Sequence, residues 1–159
     1  MRTLIRLSVI CLLTTSVAQA DGARQRAQVI VPDDARQTYE TYGYAPAIKT
    51  EDGTIYVSGV IVGLTGEGSY EARYAAGFRQ ALEHIGSVLA EAGASLDDVV
   101  DITTYHTDLA RQIGAAVQTR MEMMAKPHPS WTAVGTTGLA VPEGVTEIRV
   151  IAKAPPPKP

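Results

Sequence analysis

Glu147 and Arg149 are the residues of this chain with the most to offer chemistry. They stand two apart in Thr146-Glu147-Ile148-Arg149-Val150-Ile151-Ala152, and the period-two alternation of a β-strand puts both on one face, with Ile148 and Val150 on the other. A carboxylate can direct a water, and a guanidinium can hold a carboxylate or phosphate through paired charge-assisted bonds. Unpaired charges on a central strand are costly to bury, so the two need a ligand, a partner or one another. A second segment, His128-Pro129-Ser130-Trp131-Thr132-Ala133-Val134-Gly135, has the same short, alternating, β-branched character. Leu139 to Gly144, with Pro142 and Gly144, reads as the turn that pairs the two strands and sets Trp131 near Glu147. Trp131 can wall a cleft or anchor an interface, but an indole does not exchange protons near neutral pH.

The elements that must hold these residues follow from periodicity. Glu51-Asp52-Gly53 is a hairpin turn tolerant of positive φ, between an extended segment at Tyr44 to Lys49 and a strand from Thr54 to Val62. Ala75, Phe78, Leu82, Ile85, Leu89 and Ala92 recur every three or four residues, the core stripe of a helix over Ser69 to Ala92 that Gly93 ends. Asp98 to Thr107 is a strand, Asp108 the N-cap of a second helix, and Pro127 its stop. Met121, Met123 and Met124 read as packing. The order β, β, α, β, α, β, β describes an α+β sandwich of at least four strands with both helices on one face. The other face is left with Glu147, Arg149, Ile151, Trp131 and Ala133, too apolar for solvent and too polar for a closed core.

Residues 1–20 have a basic start, an apolar run from Leu7 to Leu13 too short to span a bilayer, and a small-x-small site at Ala18-Gln19-Ala20. They read as a cleaved signal peptide, giving a periplasmic or secreted protein with no membrane attachment after cleavage. The one cysteine, Cys11, leaves with the leader. Residues 21–38 form a flexible tether or edge strand, 39–154 one domain, and 155–159 a proline-rich tail. Removing Arg2 and Arg6 leaves twelve basic residues against seventeen acidic ones, a balance of minus five. That charge, with no basic stripe or aromatic platform, argues against nucleic acid. His84, His106 and His128 match no zinc spacing, so neither metal nor cofactor is expected, and only its pKa range recommends His106 as a base.

The C-terminal pattern, together with Gly43-Tyr44-Ala45-Pro46-Ala47-Ile48, Tyr56-Val57-Ser58-Gly59, Ala92 to Val100 and Thr107-Asp108-Leu109, resembles the Rid family, also called YjgF, the reactive-intermediate deaminases. Order and spacing match over roughly Gln37 to Ala154. The resemblance implies a Rid/chorismate-mutase-like mixed sheet, a homotrimer with small-molecule clefts between subunits, and hydrolysis of an imine or enamine to a keto compound and ammonia. It carries a water-positioning glutamate onto Glu147, a cleft tyrosine onto Tyr44, and a ligand-approaching backbone onto Ser58-Gly59. The family's carboxylate-gripping arginine has no match: its Pro-Ala-Arg-Ser-Cys pattern reads Pro129-Ser130-Trp131-Thr132-Ala133 here. At roughly 1.5 to 3 kcal/mol per charge-assisted bond, that loss would weaken a 2-imino acid by about two powers of ten or more.

Three functions fit these residues. One is an exported Rid-type hydrolase acting on a small imine- or enamine-like metabolite. A second is a non-catalytic trimeric binder of a small aromatic or acyl ligand, with Trp131 and Thr132 in the cleft. The third is a chaperone-like interaction protein. Arg149, where the family frequently has an acid, is either a relocated anion grip or, as the plainer reading, half of a salt bridge at the trimer interface.

Overall fold

A computed structural model describes residues 22–156; the expected leader and the last three residues lie outside them. In chain order the elements are α1 (Ala23–Arg26), β1 (Gln28–Ile30), α2 (Arg36–Tyr42), β2 (Ala47–Lys49), β3 (Thr54–Val62), α3 (Tyr70–Glu91), β4 (Val99–His106), α4 (Leu109–Met123), β5 (Ser130–Gly135) and β6 (Thr146–Lys153). Six strands form one sheet in the order β1-β2-β3-β6-β4-β5. Only β4 and β5 run parallel, as befits two strands joined by a crossover helix. The fold is the expected α+β layering, with six strands rather than the minimum of four.

Helix α3 begins where the Ser69 hydroxyl accepts from the Ala72 N–H at 3.2 Å and ends before Gly93, whose φ is +76°. Its inward stripe holds Phe78, Leu82, Ile85 and Leu89, each worth about 1.5 to 3 kcal/mol in burial. Tyr74 is buried one position before Ala75, which is half-buried. Helix α4 starts with the Asp108 carboxylate accepting from the Arg111 N–H, and it turns Gln112, Ala116, Thr119 and Arg120 inward. Of the three methionines at its end, Met124 is buried, Met123 half-buried and Met121 exposed. Glu71 with Arg111 and Glu122 with Arg79 clasp α3 to α4 from outside. Each arginine holds its partner's carboxyl below the ordinary range.

Beneath the helices, one face of the sheet presents Ile55, Val57, Ile102, Ile148, Val150 and Ala152, all buried. The opposite face carries Tyr56, Asp101, Thr103, Tyr105, Glu147, Arg149 and Ile151, with no helix of comparable length over it. Of the two expectations for residues 21–38, the edge strand is the one that forms: Gln28–Ile30 pairs with β2, so the sheet begins before residue 39. Helix α2 escaped the periodicity because none of its residues is buried and it has no apolar stripe to show. Among the described residues no helix is long and apolar enough to cross a membrane.

The expected pairing of β5 with β6 does not form. Strand β4 lies between them, parallel to β5 and antiparallel to β6. The crossover through α4 lays β5 on the outer edge of β4, and the loop from Thr136 to Val145 carries the chain back across β4 to the centre of the sheet. Leu139 to Gly144 is therefore part of a crossing connection rather than a hairpin turn.

Candidate functional site

Strand β3 changes register midway. Val57 pairs with Val150 but Val60 with Ile148, so three steps along β3 match two along β6, and the extra residue makes a bulge at Ser58-Gly59. The Ser58 hydroxyl donates to the Ala45 carbonyl at 2.6 Å, and the Ser58 N–H donates to the Pro46 carbonyl at 2.9 Å. These two bonds pin the Tyr44-Ala45-Pro46 segment across the bulge. They also commit the Ser58 hydroxyl to architecture, whereas Tyr44 remains 47 % exposed.

The bulge makes room for Glu147. A Cβ on Gly59 would stand 1.8 Å from Glu147 Oε1 and 2.6 Å from its Cδ, far inside van der Waals contact, so only glycine lets the carboxylate lie there. Arg149 follows on the same face. It borders a 510 Å³ cleft that it shares with Arg24, Tyr39, Tyr44, Tyr56 and Ser58. It also borders a 360 Å³ cleft with Glu147, Tyr105, Thr136 and Leu139. The larger cleft has two guanidiniums and three phenol rings on its walls and no carboxylate. No ion pair joins Glu147 to Arg149 among the described residues. The structure thus brings Tyr44, Ser58, Gly59, Glu147 and Arg149 together around one bulge.

Trp131 is not among them. It registers with Ile102, so its side chain is on the helix face, and the expectation that it shares a face with Glu147 is corrected. Period-two alternation was right within each strand but could not relate two strands separated by a third. The indole Nε1–H donates to Thr104 Oγ1 at 2.9 Å, and the Arg120 guanidinium lies 4.9 Å from the ring centroid. Ala133 follows Trp131 onto the helix face. Thr132 registers with Thr103, which registers with Arg149, so Thr132 is on the open face, exposed and two strands from β6.

Of a buried polar cluster under the helices, only His106 drew notice in the sequence, and its partners did not. His106, 1 % exposed, has Nε2 at 2.8 Å from Thr104 Oγ1. Its Nδ1 is 3.2 Å from Gln112 Oε1 and 3.1 Å from Thr146 Oγ1, and the Tyr74 hydroxyl meets Thr146 Oγ1 at 3.0 Å. The Asp108 N–H donates to Gln112 Oε1 and the Gln112 amide donates to the Tyr70 hydroxyl, which fixes the amide as an acceptor toward the ring. His106 then carries its proton on Nδ1, and Nε2 accepts from Thr104. Burial pushes its pKa below the ordinary value, with the Gln112 bond acting the other way. The Tyr74 phenol is raised by burial to outside the usual range. A ring so enclosed, with both nitrogens engaged, orders the core and does not offer a base to the clefts around β6. Among the described residues no group of three or more His, Cys, Asp or Glu side chains is placed to hold a metal ion.

Comparison with known proteins agrees with this architecture. A model of the family described as Endoribonuclease L-PSP matches residues 35–154. The RutC family protein YjgH of Escherichia coli strain K12 is 35% identical over 127 residues, which is 79% of this chain and 94% of that protein. Among solved structures, protein YJGH superposes with a TM-score of 0.67 at 32% identity, covering 83% of this chain and 99% of that one. A member of the YjgF/YER057c/UK114 family from Mycobacterium tuberculosis gives 0.67 at 26% identity, over 80% and 99%. RidA from an Antarctic Psychrobacter gives 0.61 at 26%, over 82% and 99%.

Proposed function

Because this chain belongs to the Endoribonuclease L-PSP family, in which the YjgF and Rid proteins fall, we propose that it is an exported, homotrimeric hydrolase of a small imine- or enamine-like metabolite that carries an anionic group. The observation that carries this reading is the approach of the Glu147 carboxylate over Gly59, on the strand face from which Arg149 borders both clefts. Arg149 takes the anionic group through charge-assisted bonds, and Tyr44 and Tyr56 wall the planar body of the substrate. Glu147 accepts a hydrogen bond from a water and aims its oxygen at the imine carbon. As the C–O bond forms, the water's proton passes by way of Glu147 to the substrate nitrogen. The hydroxyl proton of the resulting carbinolamine then passes, again by way of Glu147, to the nitrogen as the C–N bond breaks and the C=O bond forms, leaving a carbonyl compound and ammonia.

The trimer is supported by the open face itself. Tyr56 and Tyr105 on that face are 43 % and 37 % exposed, and Val134 on β5 is 38 % exposed. Side chains of that size beside half-buried Ile151 suit coverage by further copies of the chain. The overall negative balance, with seventeen acidic against fourteen basic residues, disfavours a polyanionic substrate. A binder without chemistry is the second reading. It is favoured by the commitment of the Ser58 hydroxyl to the Ala45 carbonyl, which removes that hydroxyl from chemistry, and by Glu147 being the one carboxylate among the described residues that border the two clefts. The test is ammonia release from freshly generated 2-imino acids and from neutral imines, with a bona fide deaminase as control. Release above the spontaneous rate, greater for the anionic substrates, is expected. Saturable binding of the same compounds without release would establish the second reading instead.

A further inference from the structure

We propose that the substrate carries a second anionic group, a carboxylate or a phosphate, and that Arg24 receives it; this deepens the proposed function and rests on its reading of Arg149 as the grip for the first. The 510 Å³ cleft has Arg24, Val29, Tyr39, Tyr44, Tyr56 and Arg149 on its walls. Its volume lies in the range of about 300 to 1,000 Å³ that holds drug-sized ligands, well beyond what an imino acid of a few heavy atoms fills. Arg24 comes from α1, Val29 from β1 and Tyr39 from α2, so the segment ahead of Gly43 builds one wall of the cleft.

Charge selects the ligand. Arg26, two residues from Arg24, pairs with Glu51 at 2.9 Å, and Lys153 pairs with Asp52 at 3.0 Å. Neither Arg24 nor Arg149 enters an ion pair among the described residues, and no carboxylate borders their cleft. The chain as a whole has seventeen acidic against fourteen basic residues, so the cleft inverts the sign locally, which draws a small dianion where the overall balance turns away a polymer of phosphates. Both guanidiniums stay charged, and the hydroxyls of the three tyrosines add neutral donors while their rings wall the body of the ligand. Arg149 is on β6 and Arg24 precedes β1, and these strands are three places apart in the sheet, about 14 Å at the usual strand spacing. The two cations therefore approach from different sides, which suits two anionic groups joined by a short body and not one group held twice.

Calorimetric binding to the protein in its native oligomer tests this without turnover. The probes are succinate, glutarate, adipate and 3-phosphonopropanoate, each set against the monoamide of matching length, which keeps one carboxylate and loses the second charge. At least one should bind about tenfold or more tighter than its monoamide, the fold-change of one charge-assisted interaction. The best length gives the span between the two arginines, and the better of succinate and the phosphonate tells a carboxylate from a phosphate as the second group. Arg24→Gln should bring the preferred dianion down to the affinity of its monoamide; Arg24 is exposed on a short helix, so the fold stays in place. Arg26→Gln removes the same charge two residues away and should keep the preference. No dianion preferred over its monoamide, a preference that survives Arg24→Gln, or an equal loss in Arg26→Gln would each overturn the proposal. Ammonia release from mono-anionic imines without any dianion preference would sink this inference alone, whereas a dianion preference lost in Arg24→Gln, with no release from any imine, would uphold the grip and sink the hydrolase.

Discussion

Two polar clusters sit back to back across the central strands, and they differ in how their hydrogen bonds are met. Under the helices, His106, Thr104, Gln112, Thr146 and Tyr74 satisfy one another in a buried, closed network. On the open face, Glu147 and Arg149 border clefts and form no ion pair with each other. The same strands build both: His106 registers with Thr146, and Tyr105 with Glu147, the next residues along. A satisfied network contributes rigidity and specificity to the fold, whereas charged groups held at a cleft await a ligand or a second subunit. Burial alone would have pointed to His106 as the functional histidine; hydrogen-bond accounting points to the other face.

The largest effect on stability should come from opening the closed network. His106→Leu leaves Thr104 and Gln112 without their ring partners in a buried site, at about 1 to 3 kcal/mol for each group left unmet. Denaturant unfolding should shift by about 2 to 4 kcal/mol, with binding at β6 retained; a shift under about 0.5 kcal/mol would remove the distinction between the clusters. Gly59→Ala acts on the other face. Its Cβ cannot share space with the Glu147 carboxylate, so turnover should fall by roughly a hundredfold through a misplaced carboxylate, with a stability loss of about 1 kcal/mol. Normal turnover in that variant would show that Glu147 works from elsewhere or not at all.

Arg149→Leu sharpens the comparison by separating ligand from interface. Loss of one charge-assisted grip should weaken an anionic ligand by about 1.5 to 3 kcal/mol without changing the oligomer. Dissociation of the proposed trimer with ligand binding intact would make Arg149 an interface residue instead. The smallest effect is pH-dependent. The folded pKa of His106 is below its ordinary value because burial disfavours the charged ring, so the unfolded chain takes up the proton first as pH falls. Stability should therefore be complete above the unfolded pKa and decline as pH drops through about 6.5 toward the folded value. Unfolding measured from pH 8 to 5 should show that slope, and His106→Leu should flatten it.

What the sequence makes legible is what its local pattern determines. The strand Thr54–Val62, the α3 stripe with its stop at Gly93, and the Asp108 cap all follow from spacing within a few residues. Strand partnership does not. That β5 lies beside β4 and not β6 depends on where a crossover helix sets the chain down, and a one-strand error moved Trp131 to the wrong side of the sheet. The residues read onto β3, β6 and the segment before them do lie together around one bulge, because Tyr44, Ser58 and Glu147 each carry their own motif. The resemblance places Ser58-Gly59 beside a ligand, but the fit of Gly59 to Glu147 is a three-dimensional fact. Tyr74, Gln112 and Arg120 went unseen because each occupies an inward position that an apolar count passes over, and their meaning lies in partners far along the chain. The leader, and with it export, falls outside the described residues.

The central claim, that the open face works on a ligand while the closed network holds the fold, is tested most directly by Glu147→Gln, with turnover and unfolding measured on the same sample. The amide keeps the shape but loses the charge and the proton acceptor, so ammonia release should fall by about a hundredfold or more, with stability changed by no more than about 0.5 kcal/mol. A variant that keeps its turnover but loses stability on the scale expected of His106→Leu would contradict the account and place Glu147 in the architecture instead.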